Sequence, residues 1–149
     1  MRALAASDIP AALASRALDS ALPPPFVAER ALKQVEAGKS IQWCSTFLIR
    51  RAPDGVVVGG CGFKDEPAGG RVEIGYAVAP ACRRQGIATA AVRELLELAF
   101  RDAQVSEVLA EINPANLGSI RVVQSLGFEA GQSLADEDGD EVVRWVRRR

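Results

Sequence analysis

Two segments near the start of the chain carry their hydrophobic residues at helical spacing. The first covers Ser7 to Ala17, and the second covers Phe26 to Ala37 and ends at Gly38. Extended segments follow, and the glycines of the middle one weaken a strand or mark a bulge. We expect three strands in an antiparallel meander: Ile41 to Arg50, Gly55 to Phe63 and Arg71 to Val78.

Helical spacing returns after the meander, where Gln85 to Arg101 places Ile87, Ala91 and Leu95 on one face. The remaining pattern predicts a short strand, a second helix and a closing hairpin: Glu107 to Ile112, Asn116 to Leu126, then Phe128 to Leu134 with Glu141 to Val146. This order predicts an α/β fold (a mixed α+β sheet) with helices packed on its faces, in a single domain over residues 1–149.

Composition excludes several classes of function. The formal net charge is −1, which argues against a general nucleic-acid binder, and no apolar run is as long as a membrane span. The first residues lack the continuous apolar core of a secretory signal, so we expect a cytoplasmic protein. The chain has no histidine, which removes Ser/His/Asp and Cys/His catalysis. Its three widely spaced cysteines predict neither a disulfide framework nor a metal site.

The stretch RRQGIATA, residues 83–90, stands where a strand gives way to a helix. A helix start offers unpaired N–H groups and partial positive charge, and therefore binds phosphate when a ligand can approach the backbone. Gly86 and Ala88 leave room for that approach, while Arg83 and Arg84 add charge. Neither GxGxxG nor GK[ST] is present, so the stretch predicts neither a dinucleotide fingerprint nor a P-loop. An ordinary helix start with solvated arginines is the alternative.

The stretch resembles the R/Q-x-x-G-x-G/A signature of the GCN5-related N-acetyltransferases, the GNAT family. RVEIGYAVAP runs directly into it, and the downstream NLGS (residues 116–119) and LGF (residues 126–128) resemble the branch that acetylates ribosomal-protein N-termini, the RimJ/RimL type. The similarity extends from about Ile41 to the end of the sequence. It implies the GNAT fold, in which a mostly antiparallel sheet contains two strands that part from each other.

The resemblance also implies a binding site for acetyl-CoA as co-substrate, with no metal. It places acetyl-CoA between the EIGYAV and EVLAEI strands, with backbone groups near Val78 polarising the thioester. It assigns the pyrophosphate to the loop and helix start, and the pantetheine arm to Asn116, which equally suits a helix N-cap. The cofactor-binding residues so implied are Val78, Arg83, Arg84, Gln85, Gly86, Ile87, Ala88, Thr89 and Asn116.

Catalysis in the family is direct attack of a neutral amine on the thioester. Glu73, on the EIGY strand, is the first candidate for general base; Glu111 or bulk water are the alternatives. Many family members carry a tyrosine in the second helix that protonates the leaving thiolate, but this chain has Val123 there. The ribosomal-protein branch offers Ser119 instead, and Tyr76, the single tyrosine, is expected to line the acceptor site or to pack.

The sequence leaves the acceptor open between a protein or peptide N-terminal amine and a small-molecule amine, since fold and cofactor fix only the acyl donor. A non-catalytic acyl-CoA sensor and a nucleotide-binding domain of another kind are the alternative functions. Exposed sheet edges favour a homodimer.

Overall fold

The computed structural model describes residues 2–4 and 17–149, and in that part of the chain seven strands form one sheet. Numbered along the chain, they are β1 (Arg2–Leu4), β2 (Thr46–Arg50), β3 (Val57–Phe63), β4 (Arg71–Val78), β5 (Glu107–Ile112), β6 (Glu129–Ala135) and β7 (Glu141–Arg148). Their order is β1-β2-β3-β4-β5-β7-β6; β4 and β5 run parallel, and the other neighbours are antiparallel. The predicted mixed, mostly antiparallel sheet is therefore confirmed.

Four α-helices accompany the sheet within the same residues: α1 (Pro25–Glu36), α2 (Ile41–Cys44), α3 (Ile87–Arg101) and α4 (Leu117–Ser125). A 3₁₀ turn at Pro80–Cys82 precedes α3. The predicted helices are confirmed to within two residues at each end, except the one at Ser7 to Ala17. That helix lies outside the described residues apart from Ala17, which bridges to Val57 in the sheet. No helix in the described ranges is long and apolar enough to cross a membrane.

The prediction of a strand from Ile41 is wrong for its first five residues, since β2 begins only at Thr46. Ile41–Cys44 forms one helical turn, in which Trp43 and the next residue are both buried, as alternation along a strand does not allow. The turn is fixed from outside, because the Ser40 N–H donates to Glu66 Oε1 at 2.7 Å and Lys39 pairs with Asp65 at 2.8 Å. The lysine hydrogen bond holds the pKa of Asp65 below its usual value.

Smaller differences occur at strand ends. β3 begins at Val57 rather than Gly55, since Gly55 has φ +68° and its N–H closes a turn on the Arg51 carbonyl at 2.8 Å. Of the two alternatives for the glycines of β3, a weakened strand or a bulge, the structure shows a bulge, as the β2–β3 register shifts beside Gly59. β7 continues to Arg148 because its last two residues still pair with β5. The three-residue β1, which pairs along β2, was not predicted.

α3 supplies the centre of the hydrophobic core. Val92, Leu95 and Ala99 are completely buried beside strands β3 and β4. The far end of α3 is held by Arg149, whose guanidinium donates to the carbonyls of Phe100 at 2.8 Å and Val105 at 2.7 Å. On the other face, a smaller cluster covers β2 and β3: Ala21, Leu48, Val57 and Ala79. α3 is therefore fixed at its C-terminal end and along its buried side.

We predict that Gly59→Ala destabilises the protein strongly, while Gly75→Ala does not. An added Cβ at Gly59 would lie 2.3 Å from the Ala77 carbonyl oxygen, whereas at Gly75 its nearest neighbour is Lys64 Cε at 3.5 Å. Overpacking of this kind costs about 1–3 kcal/mol of unfolding free energy, and the control should stay within about 0.5 kcal/mol. Urea unfolding measures both values. Equal losses would mean that the close approach of β3 to β4 is not tightly fixed.

Candidate active site

The central feature of the candidate site is a gap between β4 and β5. The two parallel strands pair over three positions, Arg71–Glu107, Val72–Val108 and Glu73–Leu109, and the pairing then ends. β4 continues to Val78 against β3 alone, while β5 continues to Ile112 against β7. The strands therefore part after Glu73, and one edge of β4 has no strand neighbour among residues 2–4 and 17–149 along its second half.

The direction of the β4 peptide groups follows from two hydrogen bonds. The Lys64 N–H donates to the Glu73 carbonyl at 2.9 Å, and the Ala79 N–H donates to the Val58 carbonyl at 2.7 Å. The backbone N–H and C=O groups of successive residues point to alternate edges of a strand, so those of residues 73, 75, 77 and 79 point toward β3. The peptide groups of Tyr76 and Val78 consequently point into the gap, where no described strand pairs with them.

The loop from β4 into α3 has a backbone shaped for close approach. Arg84 and Gly86 both adopt left-handed conformations, with φ +63° and +76°. A left-handed arginine costs about 1–2 kcal/mol, so the fold maintains this loop against strain. A Cβ on Gly86 would point into open space with no atom within 4 Å. The loop therefore presents its backbone, rather than side chains, at the helix start.

The N-terminus of α3 is uncapped. Gly86 supplies no side-chain cap, and among the described residues no acceptor is found for the N–H groups of Ile87, Ala88 and Thr89. Arg83, Arg84 and Gln85 are exposed, and no ion pair within residues 17–149 involves either arginine. Free N–H donors, the positive helix end and two unpaired guanidiniums make this loop chemically suited to a phosphate-bearing ligand.

Asn116 caps α4, as its residue type predicts. Its Oδ1 accepts a hydrogen bond from the Ser119 N–H at 3.2 Å, and the side chain is exposed. The cap uses the amide oxygen, so the amide nitrogen, for which no acceptor is found in the described part of the chain, is free to donate.

The two carboxylates considered as bases are both paired with cations. Glu73 forms an ion pair with Lys64, and Glu111 forms one with Arg144 at 2.8 Å. Because Glu73 is level with Leu109, two residues before Glu111, both carboxylates lie on the same face of the sheet. Glu73 stands at the last paired position, directly before the gap. Sequence reasoning missed Lys64, although the hairpin register makes it the direct neighbour of Glu73.

Three candidate proton donors have different surroundings. Val123 is completely buried in the core, so its position in α4 supplies packing and no proton. Ser119 is half-buried in the first turn of α4. Tyr76 reaches that same turn, where its hydroxyl donates to the Ser119 carbonyl at 3.2 Å, and burial raises the pKa of its phenol. The phenol is therefore protonated at neutral pH.

Two of the three cysteines are neighbours of site residues, since Cys82 directly precedes Arg83 and Cys61 is paired with Tyr76 across β3 and β4. All three thiols are buried, and burial raises the pKa of Cys61 to about 12. A cavity of about 540 Å³ lies between β2 and the outer flank of α3, lined by Arg51, Ile87 and Glu94 among others. The cavity shares Ile87 with the loop, but no residue of β4 or β5 lines it. The candidate site is therefore the gap and the loop, and not this cavity. No cluster of metal-ligating side chains is found in the described ranges.

Comparison with known proteins gives a consistent result. The family model described as an acetyltransferase (GNAT) domain matches residues 1–129. The N-acetyltransferase YjdG of Bacillus subtilis (strain 168) is 33% identical over 102 residues, which cover 68% of this chain and 58% of YjdG. The chain spans about half the length of the first relatives that its sequence matches.

Two solved structures show the same fold at lower identity. The aminoglycoside acetyltransferase AAC(6')-Ib in complex with coenzyme A superposes with a TM-score of 0.69 at 23% identity, covering 99% of this chain and 93% of that one. RimJ of Mycobacterium smegmatis, in complex with CoA-disulfide, gives a TM-score of 0.64 at 23% identity, covering 83% and 60%. The fold thus agrees with the family that the sequence motifs resemble.

Proposed function

Because the chain belongs to the GNAT acetyltransferase family, we propose that it is an acetyl-CoA-dependent N-acetyltransferase that acts on a primary amine. The observation that carries this proposal is the unpaired edge of β4, which leads directly into the strained loop and uncapped start of α3. Such an edge can pair with an extended amide chain, and the loop beyond it can hold a pyrophosphate. Pantetheine pyrophosphate has both parts in that order.

Each part of acetyl-CoA then has a partner in this chain. The N–H groups of residues 84–89 hold the pyrophosphate oxygens, with the guanidiniums of Arg83 and Arg84 beside them. The peptide groups of Tyr76 and Val78 pair with the pantetheine arm, and the free amide nitrogen of Asn116 donates to it from α4. No metal is required in this assignment.

The chemistry requires a base and an oxyanion donor, while acetyl-CoA supplies the acetyl group as a thioester. Glu73 takes the proton from the amine, directly or through one water, and the ion pair with Lys64 holds its carboxylate in place beside the gap. The Val78 N–H, which faces the gap, donates to the carbonyl oxygen as negative charge develops there. Both groups lie on β4, so one strand sets their separation.

The acceptor is a protein or peptide N-terminal amine or a small-molecule amine. This range is supported by the two structural neighbours, one named for aminoglycosides and the other a RimJ protein. A single domain over residues 1–149, a cytoplasmic location and a homodimer stay predictions from the sequence. Binding of acetyl-CoA without turnover on any amine would instead favour the sensor alternative.

We predict that Gly86→Ala weakens acetyl-CoA binding at least tenfold, while Gly139→Ala leaves it unchanged. Both glycines have positive φ, +76° and +82°, and neither has an atom within 4 Å of the added Cβ, so the two variants carry similar backbone strain. Only Gly86 borders the loop that receives the pyrophosphate. Calorimetric titration with acetyl-CoA, with ATP and NADH as competing ligands, measures the difference. Equal affinities of the two variants for acetyl-CoA would show that the pyrophosphate does not bind at this loop.

We predict that Glu73→Gln lowers kcat about 100-fold or more, since general base catalysis contributes roughly that much. The loss should be measured as CoA thiol release with a panel of amines that includes an aminoglycoside and a peptide with a free N-terminus. Glu111→Gln is the comparison, because that carboxylate is also cation-paired on the same face. Full turnover of Glu73→Gln across the pH range would exclude Glu73 as the base. If only Glu111→Gln lowered kcat, Glu111 would be the base instead.

A further inference from the structure

The side chain of Tyr76 crosses the site at the point where the strands separate. Tyr76 lies on β4 three residues beyond the last position paired with β5. Its hydroxyl nevertheless contacts the Ser119 carbonyl in α4, the helix that follows β5 in the chain. The ring therefore connects the two sides of the gap and forms part of its wall.

Tyr76 belongs to the same strand as the proposed oxyanion donor. The Tyr76 and Val78 side chains share one face of β4, and their peptide groups both point into the gap. The Val78 N–H is the proposed oxyanion donor, and Tyr76 is attached to β4 two residues before it. The carbonyl it contacts belongs to Ser119, whose hydroxyl was the candidate donor to the leaving sulfur.

Relative acidity decides what the phenol can do there. A free thiol has a pKa of about 8.5 and a free phenol about 10. Burial raises the pKa of Tyr76 further. Complete proton transfer from this phenol to a thiolate is therefore unfavourable, whereas a hydrogen bond from the protonated phenol to a thiolate is favourable.

On these grounds, and resting on the proposed function, we propose that the Tyr76 hydroxyl turns from the Ser119 carbonyl and donates its one hydrogen bond to the sulfur of the CoA leaving group, which it stabilises as a thiolate. The C–N bond forms and the C–S bond breaks, and the sulfur keeps the electron pair of the broken bond. The amine proton goes to the base, and the thiolate takes a proton from solvent on release. Tyr76 thus stabilises the leaving thiolate by a hydrogen bond without protonating it, whereas Val123 is buried in the core and has no hydroxyl.

The test compares Tyr76→Phe with the wild type and with Ser119→Ala. Tyr76→Phe removes one hydroxyl and keeps the ring, while Ser119→Ala removes the alternative donor and keeps the carbonyl. The first measurement is the pKa of the thiol in bound CoA, which is determined from the absorbance of the thiolate as the pH is varied. We expect Tyr76→Phe to raise that pKa and to lower kcat about 10- to 100-fold, with KM for acetyl-CoA within about threefold, as for loss of a hydrogen bond to a charged group.

A second measurement uses the unmodified protein and so does not depend on folding of a variant. Tyr76 is the single tyrosine in the sequence, so phenolate absorbance reports on this residue alone. Saturating CoA should raise the phenol pKa at alkaline pH, because a thiolate nearby opposes a second negative charge.

The outcomes separate this proposal from the proposed function. Suppose that CoA binds, but Tyr76→Phe leaves the thiol pKa unchanged and CoA leaves the phenol titration unchanged. Tyr76 then does not contact the sulfur, and only this inference fails. If the thiol pKa and kcat respond to Ser119→Ala and not to Tyr76→Phe, the serine hydroxyl is the donor. If CoA does not bind the wild type at all, the proposed function fails, and this inference with it.

Discussion

The early end of the pairing between β4 and β5 is the constraint on which the rest of the site depends. Three paired positions, Arg71 to Glu73 on β4, hold the strands together, and beyond them each strand follows a different neighbour. An unpaired strand edge is ordinarily a liability in a soluble protein. Here the edge borders the gap between β4 and β5, so its peptide groups can pair with a ligand that enters the gap.

Beyond the unpaired edge of β4, the left-handed loop and the N-terminus of α3 add backbone N–H donors and partial positive charge. Arg84 keeps a conformation that costs an L-residue energy, and Gly86 adopts a similar one freely. The result is a run of backbone donors at the positive end of a helix whose other end is held by Arg149. Burial of Val92 and Leu95 keeps the helix in place, so the packing of α3 determines where the donors point.

Sequence reasoning succeeded where the signal was local. Periodicity predicted α3, residue type predicted the Asn116 cap, and the motif predicted the open backbone at Gly86. It failed at Ile41–Cys44, where contacts with residues more than 20 positions away override the extended pattern. The Tyr76–Ser119 contact spans 43 positions and depends on how β4 and α4 approach each other, which no local pattern encodes. The functional roles of Glu73 and Ser119 stay predictions.

Amide hydrogen exchange with and without saturating CoA tests the central claim, that the open edge of β4 receives the ligand, most directly. The account predicts that exchange of the Tyr76 and Val78 N–H groups slows on binding. The Ala79 N–H, already bonded to the Val58 carbonyl at 2.7 Å, provides an internal reference that should change little. Saturated binding with unchanged exchange at Tyr76 and Val78 would contradict the account, because the ligand would then occupy some other part of the molecule.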